Sequence, residues 1–355
     1  MKSEKSIRFG INFLPNRALE LVEWVKTAED TGFDIAGIAD SQSLYRDVYM
    51  CEALAAVNTR TIRIGTRVIN PLTRHPAVAA CAAATMEELA PGRTMVGVGT
   101  GDSAVDNIGV RPSTRAELAD YIRTLRELLT TGKSSYVPAY SKGVPPPTGM
   151  FTGKPVKMTW WNNKNIPIYI AASGPLALQL AGEIADGVVI NTGLLPEIVR
   201  DSINQVKIGC ERAGRDISEV DMWWLPLTNI DDNRERAINE IAPTLASAGS
   251  HLSRFTTKGK HIPEELMSRV SELGRRYNSD QHDKPDSANR ELAKELGLLD
   301  YLADRFSIAG SPKQCIDKIE SAIDAGARQF WMSVHLNDKM KFMKDWSSKV
   351  ITAFK

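Results

Sequence analysis

The chain has 355 residues, of which 43% are hydrophobic, and its formal net charge is +1 at pH 7. A chain of this length can bury a sizeable core in one large domain or in two ordinary ones. The balanced charge excludes a global field that would attract nucleic acid or an anionic membrane, so any anion must be bound locally.

The four cysteines stand far apart and form neither a Cys-x-x-Cys pair nor a metal-ligand pattern with histidine. We therefore predict thiols in a reducing compartment and no metal site. The amino terminus leads into a strand pattern without an apolar signal segment, and no uncharged run approaches about 20 residues. These features predict a cytoplasmic protein with no membrane partner.

Short β-rich runs alternate with amphipathic helix patterns, which is typical of β-α units that build a parallel sheet. The predicted strands cover residues 7–13, 34–39, 62–68, 94–99, 166–171, 187–191, 220–229 and 328–335. Helices are predicted at residues 17–31, 47–58, 75–89, 113–131, 175–184, 196–213 and 312–325, with one more at the carboxyl terminus. Eight strands predict an α/β fold of the (β/α)8 TIM barrel type, with sites at the strand carboxyl ends. A doubly wound open sheet is the competing topology, and it would need a separate domain for its extra strands.

Two stretches interrupt this alternation inside one predicted domain that covers residues 1–355. Residues 132–165 contain three consecutive prolines and predict an inserted loop. Residues 231–304 are almost wholly helical in pattern and predict an excursion after the seventh strand. Because loop variation sets specificity in barrels, both stretches are expected to wall the substrate cavity. Strand alternation predicts that only one tryptophan of each pair, at residues 160–161 and 223–224, faces inward.

The most informative motif lies at residues 94–109, where an apolar run opens into glycines and reaches Asp102. Gly97, Gly99 and Gly101 would let backbone amides and a carboxylate approach a ligand. A dinucleotide-binding fingerprint needs its third glycine one residue later and a helix directly after it, which this stretch lacks. The motif favours a barrel strand that ends at an active site. The alternative is a strand end whose glycines serve only close packing.

Four sequence blocks, in order and at the spacing of barrel strands, carry a resemblance to a known family. They are residues 64–78 (IGTRVINPLTRHPAV) with 84–89 (ATMEEL), residues 97–103 (GVGTGDS), residues 167–175 (PIYIAASGP) with 180–187 (LAGEIADG), and residues 308–312 (IAGSP). Over nearly its whole length the chain resembles the luciferase-like family of flavin-dependent and deazaflavin-dependent oxidoreductases. Within that family it is most similar to the methylene-tetrahydromethanopterin reductases and their bacterial relatives.

The resemblance implies that a cofactor lies over the carboxyl mouth of the barrel. The residues that would hold it are Arg67, Val68, Asn70, Gly101, Asp102, Ser173, Gly174, Asn191 and Thr192. A non-prolyl cis peptide would join Arg67 to Val68 behind the ring, and Asn70 would contact its polar edge. Ser173 and Gly174 also open a helix, whose free amides and dipole suit a phosphate. Turn and cap formation is the structural alternative at these positions.

Asp102 is the first catalytic candidate, because the resemblance implies a carboxylate there beside the reactive face, and partial burial at a barrel mouth would disfavour its ionised form and suit it to hold a proton. Asp40, which the resemblance places near the ring, and His75 are further candidates. Asp40 could instead cap a segment, and His75 could begin a helix. His335, at the end of the last strand, would also face the mouth. Many deazaflavin-dependent alcohol dehydrogenases of the family carry Asp-His after the second strand, and Ser41 in place of that histidine argues against a histidine-driven alcohol oxidation.

The resemblance implies first a monooxygenase that uses reduced FMN and dioxygen on a small organic substrate, with a separate flavin reductase as a partner. The alternative is a reductase or dehydrogenase that transfers hydride through coenzyme F-420 (F420). The acidic tail of F420 would favour basic residues along a groove, for which Arg67, Arg74 and Arg111 are candidates. A barrel that binds a ligand without turning it over is the third possibility. A homodimer is also implied by the resemblance.

Overall fold

Strands and helices alternate along the chain, as the periodicity of the sequence indicates. The computed structural model describes residues 7–135, 155–161, 164–278, 281 and 287–355. The strands are β1 (Arg8–Phe13), β2 (Ile35–Ile38), β3 (Arg63–Ile69), β4 (Thr94–Val98), β5 (Lys133–Ser134), β6 (Val156–Lys157), β7 (Ile168–Ala172), β8 (Gly187–Ile190), β9 (Asp221–Trp224), β10 (Leu227–Ile230), β11 (Ser307–Gly310) and β12 (Gln329–Ser333). The helices are α1 (Ala18–Asp30), α2 (Val48–Asn58), α3 (Pro76–Leu89), α4 (Ser103–Asp106), α5 (Arg115–Thr131), α6 (Pro175–Ile184), α7 (Pro196–Ala213), α8 (Arg234–Ser253), α9 (Met267–Arg276), α10 (Ala288–Glu295), α11 (Leu299–Phe306), α12 (Pro312–Asp324) and α13 (Lys339–Lys349).

Within the described residues, eight parallel strands close into a ring. Its order is β1, β2, β3, β4, β7, β8, β9 and β12, and β12 pairs again with β1 from Arg8 opposite Gln329 to Asn12 opposite Ser333. Closure leaves the ring without an edge strand. The predicted (β/α)8 barrel is therefore confirmed, and the open doubly wound sheet is wrong.

The predicted seventh strand, residues 220–229, is interrupted. β9 pairs with β8 and β12 in the ring, whereas β10 pairs with β12 only at Leu227 opposite Ser333 and pairs along its length with β11. The break falls at Leu225 and Pro226, because proline has no N–H to donate to a strand ladder. The prediction of one continuous strand is therefore wrong, and β11 is a strand that periodicity did not reveal.

Side chains fill the amino-terminal half of the barrel interior. An apolar layer there consists of Ile35, Met95, Tyr169, Val189, Trp223 and Trp331. Asp221 lies at that end and accepts hydrogen bonds from Arg8, Tyr169, Trp223 and Gln329 at 2.5–2.9 Å. Burial opposes ionisation of Asp221, but Arg8 and the three neutral donors outweigh it and lower the pKa of this carboxyl. This packing leaves the carboxyl half of the barrel as the place for a ligand.

The two tryptophan pairs follow the predicted alternation. Trp223 lies inside the barrel, and Trp224 packs between the sheet and the outer helices, although both are fully buried. Trp161 is buried and donates its indole N–H to the carbonyl of Leu129, while Trp160 is exposed. In each pair, one ring thus faces a different environment from its neighbour.

The two stretches that interrupt the alternation pack outside the ring. Of residues 132–165, β5 and β6 form an antiparallel pair, whereas residues 136–154 and 162–163, with the three prolines, lie outside the described part of the chain. Helices α8 to α11 fall within or just after residues 231–304 and form an apolar core of their own. Among the described residues, no helix combines the length and the apolar character that a bilayer crossing requires.

Two glycines fix the distance between α6 and α7. A Cβ on Gly182 would overlap the carbonyl oxygen of Val206, and a Cβ on Gly209 would overlap the backbone of Gln179. The two helices therefore meet backbone to backbone. This contact determines the position of α6, whose first turn lies at the carboxyl mouth of the barrel.

We expect Gly209→Ala to lower the free energy of unfolding by about 1 to 3 kcal/mol, because the added methyl must push the two helices apart. The loss should appear even though alanine favours a helix over glycine by up to about 1 kcal/mol. Lys207→Ala, on the exposed face of α7, is the control and should change stability by about 0.5 kcal/mol or less. Denaturant unfolding followed by circular dichroism measures both variants. Equal free energies of unfolding for Gly209→Ala and Lys207→Ala would contradict the backbone contact between α6 and α7.

Candidate active site

A cavity of about 1230 Å³ opens at the carboxyl ends of the barrel strands. Its wall combines strand ends with the end of α8 and the segment that follows, residues 251–260. Nine of the sequence-predicted site residues line it together: Asp40, Arg67, Val68, Asn70, Gly101, Asp102, Ser173, Gly174 and Asn191. Residues from five strand ends, those of β2, β3, β4, β7 and β8, thus meet in one place, as expected at the carboxyl mouth of a barrel.

The wall at the end of β3 is irregular. The peptide bond between Arg67 and Val68 is cis, at the position that the resemblance implied. The pairing of β3 with β4 shifts register between Thr66 and Ile69, so the chain bulges there. Val68 consequently packs over Gly97 and Gly99 of the neighbouring strand end, where a Cβ would come within 3.0 Å of its methyl groups.

Asn70 is committed to a turn in this structure. Its side-chain oxygen accepts hydrogen bonds from the backbone N–H groups of Leu72 and Thr73 at 3.0 Å each, and its amide donates to the Thr73 hydroxyl. The side chain is buried and lines the cavity. This geometry is that of the turn former that the sequence left open as an alternative, and contact with a ring edge stays a prediction.

Asp40 is a buried carboxyl beside the cavity. Its Oδ1 atom lies 3.4 Å from the Arg74 guanidinium, and its Oδ2 atom has no hydrogen-bond partner among the described residues. Burial raises the pKa of Asp40, against the opposing charge of Arg74. Asp47, not Asp40, caps the following helix. Asp40 is therefore the cavity carboxyl that is suited to hold a proton.

Asp102 does not match the chemistry expected from the sequence. Its side chain is 58% exposed and pairs with Arg254 at 2.7 Å and with His251 Nε2 at 3.1 Å. Burial would raise the pKa of Asp102, but the hydrogen bonds and charges of His251 and Arg254 outweigh it and hold that pKa well below its ordinary value. The expectation of a protonated Asp102 is wrong, because helix α8 brings two basic groups that strand-end reasoning missed.

His75 is a helix-capping residue. It is the residue before α3, and its Nδ1 atom accepts a hydrogen bond from the backbone N–H of Ala77 at 3.1 Å. Burial lowers the pKa of His75. It is absent from the described residues that line the cavity. The helix-start alternative thus describes this contact of His75, and its catalytic role stays a prediction.

Lys260 completes the end of the cavity near α6. The helix begins at Pro175 with no side-chain cap, and Lys260 packs so close that a Cβ on Gly174 would lie 3.5 Å from its Cε atom. The ammonium donates to the carbonyls of His251 and Arg254 at 2.8 and 3.0 Å. Burial, with repulsion from Arg305 and Arg254, lowers the pKa of Lys260 to about 8. A helix amino terminus and a cation thus face the same space.

Thr192 lies behind this end and does not line the cavity. Its hydroxyl bonds to that of Ser202, and its carbonyl accepts from Arg305. Arg305 is buried and also donates to the carbonyls of Lys260 and His261. Contact of Thr192 with a cofactor therefore stays a prediction. Arg305 joins the Thr192 carbonyl to those of Lys260 and His261 and so holds the Lys260 loop in place.

Two of the three arginines predicted to bind the acidic tail of F420 already form ion pairs within the protein. Arg74 contacts Asp40 and Asp47, and Arg111 contacts Glu117. Arg67 lies inside the barrel, not along an outer groove. In the described part of the chain, no cluster of three or more His, Cys, Asp or Glu residues could hold a metal ion.

The sequence model of luciferase-like monooxygenases matches residues 7–329. The chain belongs to this family. Relatives in the family include a 5,10-methylenetetrahydromethanopterin reductase of Methanopyrus kandleri, 30% identical over 98% of this chain and 99% of the relative. An F420-dependent glucose-6-phosphate dehydrogenase of Nakamurella multipartita is 29% identical over 97% of this chain and 96% of the relative.

Solved structures show the same fold. The coenzyme F420-dependent tetrahydromethanopterin reductase of Methanopyrus kandleri matches 99% of this chain and 100% of its own, with a TM-score of 0.73 and 26% identity. A monooxygenase of Streptomyces bottropensis matches 98% and 100%, with a TM-score of 0.67 and 15% identity, which shows the fold alone. The chain is thus an oxidoreductase of the luciferase-like family.

We expect Asp102→Asn to lower the free energy of unfolding at pH 7 by up to about 1 kcal/mol, since the lost ion pairs are partly exposed. A carboxyl with a lowered pKa stabilises the fold above its unfolded pKa of about 4, and this stabilisation is lost as the pH falls. The difference between wild type and variant should therefore shrink from pH 7 to pH 3. Asp324→Asn, an exposed carboxylate at the end of α12, is the control. Urea unfolding at several pH values gives the comparison, and a difference that grows in acid would contradict the ion pairs.

Proposed function

We propose that this protein is an F420-dependent reductase or dehydrogenase that transfers hydride between the deazaflavin and a small organic substrate. The observation that carries the proposal is the similarity, over nearly the full length, to a methylenetetrahydromethanopterin reductase and an F420-dependent dehydrogenase at about 30% identity. The monooxygenase similarity is weaker at 15% identity. This favours the F420 alternative over the FMN-dependent monooxygenase that the sequence first suggested.

The residues of the cavity fit such a cofactor. Gly99 and Gly101 leave the end of β4 without side chains, and the orphaned Oδ1 of Asn12 and Oδ2 of Asp40 offer buried acceptors. The uncapped start of α6 at Gly174, beside Lys260, suits a phosphate because backbone N–H groups and a cation converge there. Exposed Lys258, on the same rim, extends the basic surface toward an acidic tail.

When bound, F420 supplies a ring carbon that carries hydride. Reduction or oxidation of a substrate by hydride also moves a proton, so a group beside the cavity must hold one. We assign this role to Asp40, because burial raises its pKa and its Oδ2 atom is free for such a proton. Asp102, held ionised by His251 and Arg254, instead closes the rim between β4 and α8.

A ligand-binding barrel without turnover has less support. Such a barrel would have no need for a buried carboxyl with an unpartnered oxygen at the cavity, which costs stability unless it serves a function. A homodimer and a flavin reductase partner, implied by the resemblance, stay predictions.

The cofactor is tested by titrating the purified protein separately with F420 and with FMN, and by mixing the reduced complexes with oxygen. We expect F420 to bind at least tenfold more tightly than FMN, which is about 1.4 kcal/mol. Lys260→Met should weaken F420 binding by tenfold or more, whereas Lys318→Met, a lysine on α12 away from the cavity, should not. A transient hydroperoxide spectrum with FMN, without F420 binding, would overturn the proposal in favour of a monooxygenase.

We expect Asp40→Asn to lower the rate of hydride transfer by about 100-fold or more while F420 still binds, since general acid–base catalysis contributes at least that factor. The pH–rate profile of wild type should contain an ionisation above the ordinary aspartate value of about 4, absent from the variant. Asp47→Asn keeps a helix-capping residue and shares the neighbour Arg74, so it is the matched control. Stopped-flow reduction of bound F420 measures both. Unchanged rates in Asp40→Asn would remove Asp40 from the mechanism.

A further inference from the structure

The floor of the cavity is the uppermost layer of side chains inside the barrel. We define it by Asn12, Arg67, Ala171, Val189, Leu225 and Ser333, all of which line the cavity. The Arg67 guanidinium lies above the interior apolar layer, 5.8 Å from the centre of the Trp331 ring. Gly37 on β2 leaves room for it, since a Cβ there would lie 2.7 Å from both the Arg67 Cβ and the Trp331 ring.

Arg67 carries a charge that no acidic group offsets. Arg8, Arg63 and Arg74 each contact a carboxylate within 4 Å, whereas Arg67 forms no ion pair with any described residue. Its Nε atom is buried without a hydrogen-bond partner in that same part of the chain. Burial lowers the pKa of Arg67 to about 10, so the guanidinium stays charged at neutral pH.

Arg67 is partly buried and lines the cavity, so a ligand that brings an anionic group would supply the ion-pair partner that the described residues do not. The other floor residues are uncharged, so an anion placed over them would meet a single cation. A guanidinium presents parallel N–H groups that match two oxygens of one planar anion. The buried Oδ1 atom of Asn12, also without a described partner, adds an acceptor at the same level.

We propose that Arg67 is the anion-binding residue of the cavity floor and that the ligand presents a planar anionic oxygen edge to it. This edge belongs either to the reduced deazaflavin, whose pyrimidine ring can lose a proton and delocalise the charge over its oxygens, or to a carboxylate of the substrate. The first source rests on the proposed function. The second holds whichever cofactor the protein uses.

The test compares two variants of Arg67. Arg67→Met removes the charge at similar length, and Arg67→Lys keeps the charge but loses the parallel N–H groups of the guanidinium. Arg200→Met, an exposed arginine on α7, is the matched control. The probes are benzoate and its neutral analogue benzamide, titrated calorimetrically into the protein alone and into its F420 complex. We expect wild type to bind benzoate at least tenfold more tightly than benzamide, Arg67→Lys to keep part of this preference, and Arg67→Met to lose it.

The two sources give different results. If F420 displaces benzoate, and the pKa of bound reduced F420, read from its absorbance, rises in Arg67→Met, the anionic edge is that of the cofactor. If benzoate binds beside F420 and that absorbance titration is unchanged, the edge is that of the substrate. If wild type does not bind F420, only the proposed function is refuted. The benzoate titration alone then tests whether Arg67 binds an anion.

Loss of the fold is a separate outcome that the thermal midpoint detects. Removing a partly buried charge that has no ion-pair partner among the described residues should leave the midpoint of Arg67→Met equal to or above that of wild type. A lower midpoint in both Arg67 variants would mean that the guanidinium serves the core, and would overturn the proposal. Equal binding of benzoate and benzamide by wild type, with no effect of Arg67→Met on the pKa of reduced F420, would overturn it as well.

Discussion

The parallel pairing of β1 with β12 is the constraint on which the site depends. Because this pairing closes the ring, the carboxyl ends of all eight strands in the described chain face one mouth. Asp40, Arg67, Asp102 and Ser173, which are up to 133 residues apart in sequence (173 − 40), therefore line one cavity. The Asp221 network fills the opposite end, so that structural and ligand-facing polar groups are separated along the barrel axis.

The environment around each carboxyl decides its chemistry, and the two cavity aspartates have different environments. Asp102 is exposed and faces two basic groups, so it is ionised and contributes an ion pair across the rim. Asp40 is buried beside one distant arginine, so its pKa is raised. The contrast arises from α8, which ends against β4 and supplies His251 and Arg254 to one aspartate alone.

Positive charge is distributed at two depths of the cavity. Lys260 and the start of α6 lie at the outer end, where a phosphate can remain partly hydrated, and Arg305 holds the Lys260 backbone in place from behind. Arg67 lies on the cavity floor, next to the Trp331 ring and without an ion-pair partner among the described residues. A ligand with a phosphorylated arm at the outer end and an anionic edge at the inner end would contact the positive groups at both depths.

The sequence by itself determined the barrel, because alternating strand and helix patterns and the family blocks depend on local periodicity and spacing. It also located the strand ends, so that nine predicted residues do line the cavity. The protonation of Asp102 depends on His251 and Arg254, which α8 brings from a remote part of the chain. The place of Thr192 likewise depends on the remote Arg305, whereas the helix start at His75 is local and could be anticipated. Arg305, His251 and Lys260 gave no signal in the sequence beyond basic residues in a helical region. Only the tertiary structure decided these contacts, because hydrogen bonding, burial and charge pairing are set by neighbours that are remote along the chain.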